Sequence, residues 1–216
     1  MNRNITLGTF EDDGKENFNN SKSLKIVKHE KIKHYIENLT NEQKMKFWIK
    51  TLFGAYSTLP EIIKTIDKIV ELQASSVSFM SDIYNREGSA FDQMEKVINL
   101  SERKNNLLNV YLLVKNLYTS LSVDNVDLVE KKYLYNYSVE DLSREFDIST
   151  RTIYRRIDKI IDEVYELCKK RNWTLAFIES QLKDEGWIKE RYIKIVTEYF
   201  KNINYQEPYS MSSSGL

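Results

Sequence analysis

Between Tyr137 and Val164 the chain reads YSVEDLSREFDISTRTIYRRIDKIIDEV, and few folds accommodate this stretch. Its apolar residues Leu142, Phe146, Ile148, Ile153 and Ile157 fall where two short helices crossing steeply share one small core. Ser143 is the small residue on the first helix where the second passes close. Asp147 stands at the turn, which calls for a left-handed residue; glycine is usual there, and Asp adopts that conformation at modest cost.

Both helices carry start signals. Ser138 opens a capping box, with Asp141 in the place usually held by Glu or Gln. Ser149, just past the turn, caps the second helix and leaves its first amides free for a phosphate. Beyond the cap the outward positions are Thr150, Arg151, Tyr154, Arg155 and, in part, Arg156. From Ser149 to Lys159 the positive residues Arg151, Arg155, Arg156 and Lys159 stand against Asp158 alone. Basic and hydroxyl groups in the first two turns of a helix suit the major groove of DNA. Arg makes paired hydrogen bonds to the guanine edge, while Thr and Tyr reach phosphates or a thymine methyl. The expected double-stranded-DNA contacts are therefore Ser149, Thr150, Arg151, Thr152, Tyr154, Arg155, Arg156 and Lys159.

These residues resemble region 4 of sigma-70-type factors. The preceding LVEKKYLYNYS, residues 128–138, is similar to that module's lead helix, and Ile153 to Ile157 to its recognition helix. The wider chain resembles ArpU-type phage-encoded transcriptional regulators of Gram-positive bacteria, through LPEIIKTIDKIVELQ at 59–73 and INLSERKNNL at 98–107. The resemblance implies a phage-related regulator of transcription that binds DNA through a helix-turn-helix, with RNA polymerase as a second partner. It departs at Leu121–Asp124, where the lead helix often opens with proline, and at Asp147. Two other functions share these features: a phage terminase small subunit, which marks DNA for packaging, and a protein-interaction module docking on RNA polymerase.

The rest of the chain reads as helix. It holds only 6 Gly and 2 Pro, and this scarcity of breakers argues for an all-α fold. Charge is balanced at 32 acidic and 32 basic residues, so any attraction to nucleic acid is local. The expected organisation is a disordered tail at 1–22, a helical domain at 23–121, the helix-turn-helix at 122–171, a helical pair at 172–204 and a polar tail at 205–216. Within 23–121, Thr40 and Gln43 form a capping box for a helix that Gly54 ends, and Pro60 opens the next. Small and polar residues from Ala74 to Ala90 read as a loop, pinned by Phe79, Met80 and Tyr84. A long helix from Phe91 to about Leu121 follows and pairs with 60–73 as an antiparallel hairpin. Lys22, Lys25, Lys28, Lys31 and Lys33 decorate an earlier helix, as a solvated face or, as the alternative, a track for a phosphate backbone.

Trp173, Phe177, Trp187, Tyr192, Tyr199 and Phe200 in the last pair either complete the core or form the interface of a homodimer. A single helix-turn-helix reads few base pairs, and a second subunit or polymerase supplies the missing affinity.

Catalysis finds no support. His29 and His34 are off one helix face, where a metal pair prefers i, i+4 spacing, and no glycine-rich phosphate loop or nucleophile elbow occurs. No cofactor or metal is expected. The single cysteine, Cys168, reads as a small buried hydrophobe. No apolar run is long enough for a membrane span or a signal peptide, so the expected location is cytoplasmic.

Overall fold

The computed structural model describes residues 32–83 and 87–204, and the side chains of these except 76–83, 87–90 and 201–204. The expected tails, His29 and all of the lysine stripe but Lys33 lie outside these residues, as do the side chains of Phe79, Met80 and Tyr84. All regular structure among the described residues is helical. No helix there is long and apolar enough to cross a membrane. The chain forms two compact units, 1–39 and 40–216. In the first, residues 32–38 are helical, and the Asn38 amide bonds the His34 carbonyl at 2.9 Å.

The second unit is built around α1, Asn41–Ala55. Thr40 and Gln43 close the expected capping box: the Gln43 amide donates to Thr40 Oγ1 at 3.2 Å and the Thr40 amide to Gln43 Oε1 at 2.9 Å. Trp48, Ile49, Leu52 and Phe53 are buried, each stabilising the fold by roughly 1.5–3 kcal/mol. Gly54 does not end this helix. It lies inside the last turn, where the guanidinium of Arg191 occupies the space a side chain would need.

Two long helices follow, α2 (Thr58–Ile83) and α3 (Glu87–Thr119). Pro60 sits in the first turn of α2, where its missing amide costs nothing. The segment expected as a loop is mostly helix: α2 runs through Ser75 to Ile83, and α3 starts at Glu87. Serine disfavours a helix interior only mildly, and Ser75 Oγ bonds the Glu71 carbonyl within its own helix at 2.8 Å. The hairpin is antiparallel. Tyr56, just before α2, stacks on Tyr111 at 5.4 Å, while Asp67 further along pairs with the earlier Lys104.

Next come α4 (Val123–Val129), which runs into one π-helical turn at Glu130–Leu134, then α5 (Val139–Glu145) and α6 (Thr150–Lys170). The chain finishes with α7 (Leu175–Gln181) and α8 (Gly186–Asn204). Two of the C-terminal aromatic residues pack on α1. Tyr192 stacks on Trp48 with centroids 4.6 Å apart, and Tyr199 meets Phe47 edge-on at 5.2 Å.

Three helix ends turn through left-handed residues, and none is glycine: Asn136 (φ 57°), Asp147 (φ 49°) and Asn172 (φ 56°). Asx side chains tolerate this region best among residues with a Cβ, which lets a glycine-poor chain still make sharp helix ends. Asp147 is the residue expected there.

The Asp184–Gly186 connection contains a buried carboxylate. Glu185 is 1% exposed. It accepts from Arg103 Nε at 2.6 Å, Arg103 Nη2 at 3.0 Å and Trp187 Nε1 at 2.7 Å. The hydrogen bonds to Glu185 hold the Arg103 guanidinium above its ordinary pKa. This pair fastens the start of α8 to the middle of α3.

Candidate nucleic-acid interface

The α5–α6 pair is assembled by short-range signals. Ser138 Oγ accepts from the Asp141 amide at 3.0 Å and donates to the Asp141 carboxylate at 2.6 Å. The bond from Ser138, with Arg144 alongside, lowers the Asp141 pKa. Ser149 Oγ accepts from the Thr152 amide at 3.2 Å and lies 2.9 Å from Thr152 Oγ1. Between them the chain reverses through Asp147. The Ile148 amide reaches back to the Ser143 carbonyl at 3.2 Å, and Ser143 Oγ donates to the Ile148 carbonyl at 2.5 Å. Ser143 thus clasps the turn.

Beneath the pair, Leu142, Ile153 and Ile157 are buried, and Phe146 and Ile148 half-buried. Two cations cover the Phe146 ring: Lys131 Nζ lies 5.1 Å and the Arg156 guanidinium 5.7 Å from its centroid. Lys131 also pairs with Asp127 at 2.8 Å and Glu145 at 2.7 Å, linking the α4 segment to α5. Hydrogen bonds to Asp127 and Glu145 raise its pKa.

Of the eight expected DNA contacts, Ser149, Thr150, Arg151, Thr152, Tyr154, Arg155 and Lys159 are exposed. Arg156 is half-buried and engaged within the protein, its Nε donating to Asn125 Oδ1 at 3.1 Å. Among the described residues Arg151 and Arg155 make no hydrogen bond or ion pair, and Lys159 approaches only Glu163, at 3.8 Å.

Two acidic residues of α6 lie beside lysines of α1. Asp162 pairs with Lys46 of α1 at 2.8 Å, and Asp158 lies 3.8 Å from Lys50. Burial lowers the Lys50 pKa; burial also acts on Lys46, but its bonds to Asp162 and Glu42 outweigh that and raise it. At 100° per residue Arg151, Arg155 and Lys159 point away from the buried Ile153, Ile157 and Ile160. The outer face of the first three turns thus carries three cations, and Asp158, within about 20° of Arg151 on the same projection, has Lys50 of α1 beside it. No protein-family model, curated protein or solved structure matches this chain.

Proposed function

We propose that this protein is a sequence-specific DNA-binding regulator of transcription, with the first turns of α6 in the major groove and the α5–α6 pair acting as a helix-turn-helix. One observation carries the reading. The exposed start of α6 presents two arginines one turn apart, Arg151 and Arg155, with no partner among the described residues. A guanidinium left unpaired beside its helix's own carboxylates suits a ligand with planar acceptors, such as the O6 and N7 edge of guanine. The capped N-terminus at Ser149 adds a phosphate site at the same end. Arg156, held by Asn125 and Phe146, acts as a strut that sets α6 against α4 and α5.

The test is selection of bound fragments from random DNA by the full chain, followed by titration of Arg151→Ala and Arg155→Ala. Each should lose roughly 1–3 kcal/mol on the selected site and little on random DNA. Equal losses on both would reduce these residues to phosphate contacts. Absence of binding even at low salt would leave α6 as a protein-docking surface, RNA polymerase included.

A further inference from the structure

Helix α3 has two apolar faces, and the described residues bury only one. Leu107, Val110, Val114 and Leu117 are buried in the core. On the opposite side Phe91, Met94, Ile98, Leu108 and Leu112 are between 37% and 70% exposed. The flanks between these faces are occupied. Lys104 and Tyr111 meet Asp67 and Tyr56 on one side, while Arg103 and Asn109 meet Glu185 and Gln181 on the other.

The outer face is a seam. With Ser101 and Asn105 included, its positions alternate in steps of three and four from Phe91 to Leu112, the a and d positions of about three heptads. That is roughly 33 Å of helix. An apolar stripe at this period on the outer side of a helix already seated in a core is suited to a second helix.

We propose that α3 pairs with α3 of a second copy, parallel and in register, as a two-stranded coiled coil. The seam is complementary to itself. In that register each apolar layer meets its own kind, and Asn105, at an a position, meets its counterpart, the arrangement that favours two parallel strands. An unrelated apolar helix would leave Asn105 facing carbon. The antiparallel pairing that keeps Ser101 opposite Asn105 sets Glu102 beside its own counterpart and Lys104 beside its own, a like-charge conflict the parallel register avoids. A contact of this length buries on the order of 1,200 Å² over both copies, above the roughly 1,000 Å² a specific interface needs. The inference rests on α3 alone and stands whether or not α6 reads DNA. Were both true, the dimer would carry two reading helices.

Sedimentation equilibrium of the full chain across the micromolar range tests it, with the parent expected at the mass of two chains. The double variant Met94→Lys/Ile98→Lys changes exposed side chains, so helical circular dichroism should persist while the mass falls to one chain. Met94→Cys under mild oxidation should cross-link into a covalent dimer, because parallel pairing brings the two thiols together. In the antiparallel alternative they stand about 27 Å apart, beyond the reach of a disulfide. Cys168 is buried and does not compete. A monomeric parent, or a dimer that survives the double lysine variant, overturns the proposal. A parental dimer whose Met94→Cys form fails to cross-link overturns the parallel register.

Discussion

Replacing Gly54 by Ala is a sharp test of how α1 and α8 meet, because two effects oppose one another there. Glycine inside a helix ordinarily costs about 1 kcal/mol against alanine, so the substitution by itself stabilises. Here a methyl on Gly54 would overlap the guanidinium of Arg191, which donates from Nη2 to the Tyr133 carbonyl at 2.7 Å in the π-helical turn. Arg191 Nε is already buried without a partner, and burial depresses the pKa of the group, so it has little favourable space to move into. Losing a hydrogen bond from a charged donor costs about 1.5–3 kcal/mol; the side chain is only half-buried, so the lower half of that range applies. The net expectation for Gly54→Ala is a loss of roughly 0.5–1 kcal/mol, with the sign opposite to that of helix propensity. In an Arg191→Met background the obstacle is gone, and the same change should gain about 1 kcal/mol. The coupling of roughly 2 kcal/mol would appear as about 4–8 °C in melting temperature for a chain of this size. Thermal and urea denaturation of the four proteins, followed by circular dichroism, measures it. Equal effects of Gly54→Ala in both backgrounds would show that Arg191 does not occupy this space, and the reasoning would fail.

Ile153→Asp should destabilise the second unit by several kcal/mol, since Ile153 is fully buried and the small α5–α6 core offers no partner for a carboxylate; a variant melting with the parent would refute that packing. Cys168 should resist alkylation in the folded chain and react promptly in denaturant, because burial pushes its thiol up to about 12. The neutral thiol is the favoured folded form, so its contribution to stability is complete below about pH 9, the ordinary value, and declines as pH climbs toward 12. Denaturation midpoints between pH 8 and 11 for the parent and Cys168→Ala would show a smaller alkaline loss in the variant, after allowing for the tyrosines they share.

What was legible in the sequence is what nearest neighbours decide. Thr40, Ser138 and Ser149 were readable as caps because a hydroxyl needs only an amide two or three residues on. Asp147 was readable because the apolar periodicity breaks around it and the cap of the next helix stands two residues later. The residues missed owe their roles to segments far away in the chain. Gly54 resembles a helix stop until Arg191 arrives to fill its place, and Glu185 looks like one more surface acid until Arg103 and Trp187 close on it. The serine-rich end of α2 has no local stop signal; its small polar residues read as a loop although they are compatible with a helix. Asn136 and Asn172 end helices in the left-handed region as Asp147 does.

The same division runs through the candidate site. Helical periodicity places Arg151, Arg155 and Lys159 on one outward face, and the fold keeps all three exposed. Periodicity alone put Arg156 beside them as a partial member. Whether it is free depends on Asn125 and Phe146, which different helices and turns deliver to it. Nor does local sequence reveal that Asp158 and Asp162 have lysines from α1 beside them, over a hundred residues earlier in the chain. That long-range pairing matters for the proposed function. Lys46 and Lys50 reduce the repulsion that two carboxylates on α6 would exert on an approaching phosphate backbone, and they do so from the protein side. Removing them should therefore weaken association with DNA generally, and more at low salt than at high, whereas removing Arg151 or Arg155 should alter which site is chosen.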